Sequence, residues 1–215
     1  MEQKTERPGR TIWIGIVLLA AIAGLAFWLS RMPPSAEPLP VLGQVNGFTL
    51  TNELGQRVTL ADLRGRVWLA DIIFTRCPGP CARMTRQMAD VQQALPKNST
   101  AKLVSLTTDP DFDSPEILAK YGARFGADSN QWQFLTGTKL EIAGLAGDSL
   151  KLTALEKPAE ERTSADDLFI HSTIFVLVDR QAQLRGIFET GGNGLEWTNI
   201  QPAILAAINQ LEGEQ

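Results

Sequence analysis

Runs of lysine or arginine are absent from this chain, which has 215 residues and a formal net charge of −4. Nucleic-acid-binding proteins normally carry clustered basic residues, so we do not expect nucleic acid as a partner. Internal repeats are absent as well, which argues against a solenoid or an array of small units. The length is sufficient for one domain of ordinary size and an additional segment.

Cysteine and histidine are scarce. The two cysteines, Cys77 and Cys81, lie in the segment FTRCPGPCARM, and His171 is the only histidine. Two side chains four residues apart on a helical turn face the same side, roughly 5–6 Å apart at Cβ. A disulfide and joint coordination of one metal ion are both compatible with this spacing. A purely structural disulfide would close a very short loop and would stabilise the fold little.

Strands and helices alternate along most of the chain. Residues 66–74 are almost continuously apolar, as expected for a strand buried on both faces of a sheet, and they run directly into the cysteine segment. The other predicted elements are a hairpin over 48–60, strands over 101–108, 132–136, 172–179 and 182–189, and helices over 82–95, 114–126, 139–147 and 199–213. We interpret the charged stretch 148–168 mostly as a loop. The pattern predicts an α/β fold, a thioredoxin-like sandwich with an N-terminal β-hairpin extension, because a redox-type cysteine pair lies between a buried strand and the next helix.

His171 stands immediately before the predicted strand 172–179. In a thioredoxin-like sheet, the connection before that strand comes beside the start of the helix that follows the cysteines. Two thiolates and an imidazole suit copper(I), a soft ion, and can also hold copper(II), whereas zinc would keep an open coordination position. The helix N-terminus, with Arg76 and Arg83 nearby, favours the thiolate form of the cysteines.

Residues 11–30 form an apolar run without a charge. The length matches the roughly 20 residues that a bilayer-spanning helix needs, and neither an A-x-A-like cleavage site nor a lipidated cysteine motif follows. The run predicts an uncleaved transmembrane signal anchor, with a cleaved signal peptide as the alternative. Because Lys4, Arg7 and Arg10 precede it, residues 1–10 are expected in the cytoplasm and the following domain outside it. No transit peptide is visible, which indicates a bacterial inner membrane and a periplasmic domain.

Prolines are concentrated in the segment MPPSAEPLP, where they favour an extended spacer. We therefore assign residues 31–45 to a Pro-rich linker and residues 46–213 to the thioredoxin-like domain.

Four motifs together resemble the Sco/SenC family of copper proteins: FTRCPGPC, LTTDPDFDSPEILAKYGARFGA, FLTG and IHSTIFVLVDRQAQLRGIF. The resemblance covers about residues 46–212. It implies a membrane-tethered thioredoxin-like fold and one copper ion per chain, Cu(I) or Cu(II), bound by Cys77, Cys81 and His171. It also implies a role in assembling the dinuclear copper centre, CuA, of cytochrome c oxidase. The partners would be the oxidase subunit that carries this centre and a periplasmic copper donor or thiol reductant.

Two positions depart from the pattern of the family. Ala82 stands where many relatives have proline, and Ile170 stands where many have an acidic residue that can orient the imidazole. Asp166 and Asp167 are the candidates to replace that acidic residue. Neither departure removes a ligand.

Two other functions would use the same cysteines. A thiol–disulfide oxidoreductase that reduces periplasmic proteins would need Cys77 and Cys81 as a redox pair but not His171. The C-x3-C spacing and the lack of a proline before strand 172–179 argue against it. A peroxidase of the peroxiredoxin type would need a proline upstream that is missing here. We expect a copper-binding assembly factor rather than a turnover enzyme.

Several other side chains have simpler interpretations. Asp109, Asp113 and Glu116 lie beside prolines and a serine, where such residues usually form turns and helix caps. Met84 and Met88 follow helical spacing, so we expect them in the core rather than on copper.

Overall fold

The computed structural model describes residues 9–30, 37–77, 79–162, 169–192 and 194–214. It contains two compact units, Met1–Pro38 and Leu39–Gln215. In the first unit, the apolar run forms helix α1 (Arg10–Ser30). Across the described ranges, no helix combines the length and the apolar character needed to cross a membrane. The anchor predicted over 11–30 stays a prediction.

The second unit is built on a mixed β-sheet. The strands are β1 (Gly43–Gln44), β2 (Thr49–Asn52), β3 (Arg57–Thr59), β4 (Trp68–Ile73), β5 (Lys102–Thr107), β6 (Trp132–Thr136), β7 (Ala154–Glu156), β8 (Phe169–His171), β9 (Ile174–Val178) and β10 (Gln183–Glu189). Eight of them form one sheet in the order β1-β10-β9-β4-β5-β6-β2-β3, and β7 pairs with β8 in a separate two-stranded sheet. The predicted hairpin is formed by β2 and β3, and β2 joins it to the sheet by pairing with β6.

The helices of this unit cover the sheet. They are α2 (Leu60–Leu63), α3 (Pro80–Ala94), α4 (Pro115–Arg124), α5 (Lys139–Ala143) and α6 (Trp197–Gly213), with a π-helical segment (Gly144–Ser149) after α5 and a 3-10 turn (Ala159–Glu161).

Strand β4 is buried along its whole length. Its residues alternate between the two faces of the sheet, as the pleat of a strand requires. Leu69 and Ile73 pack in the core formed with α3, α4 and α6, whereas Trp68 and Ile72 pack in the core on the opposite face. Because side chains of both cores cover the two faces of the sheet here, almost every residue of β4 is apolar, and the apolar run was sufficient to predict this strand. The arrangement confirms the predicted α/β sandwich.

The compact unit starts earlier than residue 46, where the sequence placed the domain boundary. Strand β1 lies within the predicted linker 31–45 and pairs with β10, Gly43 opposite Leu184. The guanidinium of Arg185 donates two hydrogen bonds to the carbonyl of Leu39, at 3.0 Å from Nε and 2.6 Å from Nη2. Residues 39–45 are therefore part of the folded unit. The sequence did not show this because pairing through the main chain needs no apolar periodicity.

The described part of the charged stretch 148–168, residues 148–162, contains more regular structure than the loop we predicted. It contains the end of the π-helical segment, strand β7 and the 3-10 turn. Strand β7 pairs with β8, so that Ala154 lies opposite His171. Strands of three residues are too short to produce a period in the sequence, which explains the error.

Candidate metal centre

The cysteines lie where the central strand leads into a helix. Strand β4 ends at Ile73, and α3 begins at Pro80, a position where the missing N–H of proline removes no helical hydrogen bond. Cys77 precedes the helix and donates its N–H to the carbonyl of Phe74, at 3.2 Å. Cys81 is the second residue of α3. The sequence correctly predicted this placement at a strand-to-helix connection.

Both sulfur atoms accept hydrogen bonds from the main chain. The N–H of Cys81 donates to Sγ of Cys77, at 3.5 Å, and the N–H of Phe74 donates to Sγ of Cys81, at 3.4 Å. These two described residues are thiols and are not joined by a disulfide. Cys81 is completely buried, whereas Cys77 is partly exposed. A partner or an ion therefore reaches the pair through Cys77.

The surroundings of Cys81 oppose loss of its proton. The hydrogen bond with Cys77 raises the pKa of the Cys81 thiol far above its ordinary value, and burial and the charge of Cys77 raise it further. The N–H of Phe74 acts in the opposite direction, and the carboxylate of Asp71 raises this pKa again. Cys81 therefore favours the protonated thiol, and binding of a metal ion to its sulfur would release that proton.

A hydrogen-bond chain supports Cys81 from inside the core. The hydroxyl of Thr85 donates to the carbonyl of Cys81, at 2.8 Å, and accepts from the hydroxyl of Tyr121, at 2.9 Å. Burial raises the pKa of Tyr121, although its bond with Thr85 lowers it. Tyr121 therefore stays protonated and holds the first turn of α3 against α4.

Asp113 fastens the segment before Cys77 to the neighbouring strand. Its carboxylate is completely buried. It accepts hydrogen bonds from the N–H of Thr75, at 3.1 Å, from the hydroxyl of Thr75, and from the hydroxyl of Thr107, at 2.5 Å. Burial raises the pKa of Asp113 although these donors lower it, and the charge of Asp109 raises it further.

Asp109 makes a second link to the same segment. It forms an ion pair with Arg76, whose Nε lies 3.2 Å from the carboxylate. The guanidinium of Arg76 also lies 4.1 Å from the centre of the Phe112 ring, within the range of a cation–π contact. Together with Asp113, this pair fixes the two residues that precede Cys77.

The sequence predicts that these acidic side chains form turns and helix caps. Ser114 does cap α4, since its hydroxyl oxygen accepts from the N–H of Ile117 at 3.4 Å. The carboxylates of Asp109 and Asp113 instead hold the cysteine segment. A signal for this was available: β4 and β5 are adjacent parallel strands, so the residues that follow them meet at one edge of the sheet.

His171 is the last residue of β8. The structure describes its main chain and not its imidazole. Among the described residues, no three His, Cys, Asp or Glu side chains form a metal-binding group. Asp166 and Asp167, the candidates to orient the imidazole, lie outside the described residues. The ligand set Cys77, Cys81 and His171 therefore remains a prediction.

The main chain after His171 is connected to the helix that carries Cys81. The carbonyl of Thr173 accepts from the N–H and the hydroxyl of Thr190, at 2.8 and 2.9 Å. The carbonyl of Thr190 accepts from the side chain of Gln87 on α3, at 3.2 Å. At the next residue, Gly191, a Cβ would collide with the guanidinium of Arg83 and lie 3.2 Å from the side chain of Thr173. A larger residue at this position would therefore require the Arg83 side chain to move away from the connection.

Met84 and Met88 are completely buried in the core between α3 and the sheet. The prediction that they pack in the core is confirmed. Asp71 is a buried residue near Cys81 that the sequence analysis overlooked. It is the one charged residue in the apolar run VWLADIIF, and that contrast could have identified it.

Known proteins resemble this chain over most of the second unit. The SCO1/SenC family matches residues 42–200. A SCO1 protein homolog from Bacillus subtilis (strain 168) is 38% identical over 141 residues, which are 65% of this chain and 70% of the relative.

Solved structures extend the comparison. BsSco, described as a member of the Sco family of cytochrome c oxidase assembly proteins with a disulfide switch, is 29% identical with a TM-score of 0.67, over 83% of this chain and 100% of BsSco. ScoI from Bradyrhizobium japonicum, solved with copper bound, is 21% identical with a TM-score of 0.65, over 78% and 99% of the two chains; this likeness concerns the fold alone. The expected thioredoxin-like fold is confirmed. Since the family match spans more than half of its residues, the chain belongs to the SCO1/SenC family.

Proposed function

We propose that the chain binds one copper ion through Cys77, Cys81 and His171 and assists assembly of the CuA centre of cytochrome c oxidase. The observation that carries this proposal is the thiol pair at the start of α3, in which both sulfurs accept main-chain N–H groups. Thiolate and imidazole donors suit copper(I). BsSco is described as a cytochrome c oxidase assembly protein, which supports the choice of this oxidase as the client. The copper in the Bradyrhizobium structure supports the choice of copper as the metal.

The unequal exposure of the thiols suits a protein that passes copper on. Cys77 is partly exposed and is the sulfur that a partner reaches, while buried Cys81 keeps the site inside the fold. We infer that copper is cargo, and that the oxidase subunit carrying the CuA site and a periplasmic copper donor or thiol reductant are the partners.

We also propose that residues 11–30 anchor the chain in a bacterial inner membrane, with residues 1–10 in the cytoplasm and the folded unit in the periplasm. The support is the uncharged apolar run, preceded by Lys4, Arg7 and Arg10. The helix formed there exposes large apolar side chains, among them Leu19 and Phe27. Alkaline extraction tests this proposal: the full chain should stay with the membrane fraction, and a variant without residues 11–30 should be released.

A thiol–disulfide oxidoreductase is the second candidate. One accessible and one buried thiol is also the arrangement that a reductase needs, because the accessible sulfur attacks and the buried one resolves. BsSco, which is described as having a disulfide switch, favours the same candidate. The two functions are compatible, since copper(I) binds only after the cysteines are reduced.

An anaerobic copper(I) titration of the reduced full chain, with a competing chelator, separates the candidates. We expect the parent to bind one copper tightly, and the variants Cys77→Ser and His171→Ala to bind it at least about tenfold more weakly, since each loses a ligand. The matched control is Met88→Leu, which removes a sulfur atom that is buried in the core and conserves volume.

The outcome for His171 is decisive. If His171→Ala bound copper as tightly as the parent, the imidazole would not be a ligand and the three-ligand site would be wrong. The cysteines would then form a redox pair, and their reduction potential would be the next quantity to measure.

A further inference from the structure

A basic surface lies beside the cysteine segment, on the outer side of α3 and α4. We define it as Arg86 on α3 with Lys120 and Arg124 on α4, all three exposed to solvent. Arg124 borders two hollows: one of about 270 Å³, which also contains Lys120, and one of about 690 Å³, which also contains Arg86. The three cations therefore belong to one continuous surface.

The three cations form no ion pair with another described residue, and Arg124 lies over the ring of Tyr121, 5.0 Å from its centre. Of the nearby carboxylates, Asp90 lines the larger hollow and accepts a hydrogen bond from the indole of Trp197, at 2.9 Å, and Glu116 lies in the first turn of α4. The chain as a whole carries −4, so this surface has the opposite sign to the molecule.

Apolar rings line the same two hollows as the cations. Phe112, 41% exposed, lines the smaller hollow, and Phe125 and Trp197, both half-buried, line the larger one. Arginine mixed with aromatic residues is the composition enriched in protein–protein interfaces. Guanidinium groups also match the geometry of carboxylates, to which they donate paired hydrogen bonds. This combination favours a protein face over a lipid surface.

The surface includes the segment that leads into Cys77. Thr75 and Arg76 line the smaller hollow, and Arg76 directly precedes Cys77. A partner bound over Lys120 and Arg124 would therefore contact the residue that precedes the partly exposed Cys77.

We propose that Arg86, Lys120 and Arg124 bind a carboxylate-rich face of the protein that exchanges copper or electrons at Cys77. The choice of partner rests on the proposed function, but the binding of an acidic face does not itself require copper. The opposite charges would guide the encounter and orient the partner, and this effect weakens as salt rises.

The test uses the full chain in a neutral detergent and a fluorescently labelled poly-glutamate peptide, with binding measured by anisotropy. We expect the parent to bind the peptide, and the variant Arg86→Glu/Lys120→Glu/Arg124→Glu to bind at least about tenfold more weakly. The matched control, Arg64→Glu/Arg66→Glu/Lys97→Glu, changes the net charge equally at exposed positions elsewhere and should stay within about twofold of the parent. The single variant Lys120→Glu should lose part of the peptide affinity. This variant keeps the proposal testable if the triple variant does not fold.

Two results would overturn the proposal. One is equal peptide binding by the parent and the triple variant. The other is binding of the parent to phosphatidylglycerol vesicles through the same three residues without binding to the peptide, which would mark a lipid contact. Copper titration of the same variants distinguishes the two proposals. A parent that binds the peptide but not copper would contradict only the proposed copper-binding function. A triple variant that binds copper but not the peptide would support the proposed binding of an acidic face.

Discussion

Cys77 and Cys81 are chemically alike in the sequence and unlike in the fold. Cys81 is completely buried, and its pKa is raised first by its hydrogen bond with Cys77 and then by burial. Only a thiolate attacks an alkylating reagent, so burial and protonation both protect Cys81.

We therefore expect iodoacetamide to modify Cys77 at least about tenfold faster than Cys81 in the folded, reduced, metal-free chain. Peptide mapping by mass spectrometry during the reaction gives both rates. In denaturant the two rates should become similar. Equal rates in the folded chain would show that Cys81 is accessible, contrary to the structure.

Asp113 provides a prediction for pH dependence. Because burial raises its pKa in the folded state above the ordinary value of 3.8, the fold favours the protonated carboxyl group. The stability that this group contributes is complete below about pH 3.8 and is lost as the pH rises through the folded-state pKa.

The variant Asp113→Asn removes this titration. The free energy of unfolding of the parent, minus that of Asp113→Asn, should fall as the pH rises above about 3.8 and become constant above the folded-state pKa. Urea unfolding at a series of pH values measures the difference. Asp111→Asn is the control, because Asp111 is 73% exposed and forms a surface ion pair with Lys139; its effect should stay within about 0.5 kcal/mol. A difference that rises with pH would contradict the assignment for Asp113.

At the scale of elements, contact between α4 and β6 depends on a glycine. A Cβ on Gly122 would lie 2.7 Å from the ring of Phe134, which is buried in the core. At Gly144, at the start of the π-helical segment, the same atom would meet nothing within 4 Å, and the backbone φ of −62° suits any residue.

Alanine substitutions should therefore differ in their effect on stability at these two glycines. Gly122→Ala should lower the free energy of unfolding by about 1–3 kcal/mol through overpacking. Gly144→Ala should leave it unchanged or raise it by up to about 1 kcal/mol, because alanine restricts the unfolded chain. Chemical denaturation of both variants measures these values. An unchanged stability in Gly122→Ala would mean that α4 can shift away from β6.

The elements that the sequence predicted well are those with strong apolar patterns. The run 66–74 gave β4, and the stripe containing Met84 and Met88 gave α3, because burial imposes those patterns. Strands β1, β7 and β8 have two or three residues each, and their pairing is made by main-chain groups that leave no trace in residue type.

The candidate site also has features that the sequence predicted and features that it did not. The position of Cys77 and Cys81 followed from their spacing and the flanking strand and helix. The unequal exposure of the thiols and the roles of Asp109 and Asp113 depend on the neighbouring strand and on which face of the sheet each helix covers. One-dimensional patterns contain no such information.

At the scale of the whole molecule, Arg185 connects the first residues of the folded unit to its core. It is 8% exposed and binds the carboxylate of Asp179 at 2.8 Å and the carbonyl of Leu39. Removing Leu39 would leave donors of a buried guanidinium without that acceptor.

Two truncated chains test this contact. A chain that begins at Glu37 should unfold at the same urea concentration as the second unit of the full chain. A chain that begins at Gly43 should be less stable by about 1–3 kcal/mol, since it loses two charge-assisted hydrogen bonds. Urea unfolding of both chains gives the difference. Equal stability would mean that residues 37–42 contribute nothing to the fold.

The outermost strands of the sheet have a consequence for behaviour at high concentration. In the sheet as described, the edges are β1, with two residues, and β3, with three, whereas ordinary strands have about 5–6. A long, flat edge is a template on which another chain can add a strand and begin an aggregate. These edges offer too few unpaired main-chain groups to act as such a template, so many copies can be held close together without their sheets fusing.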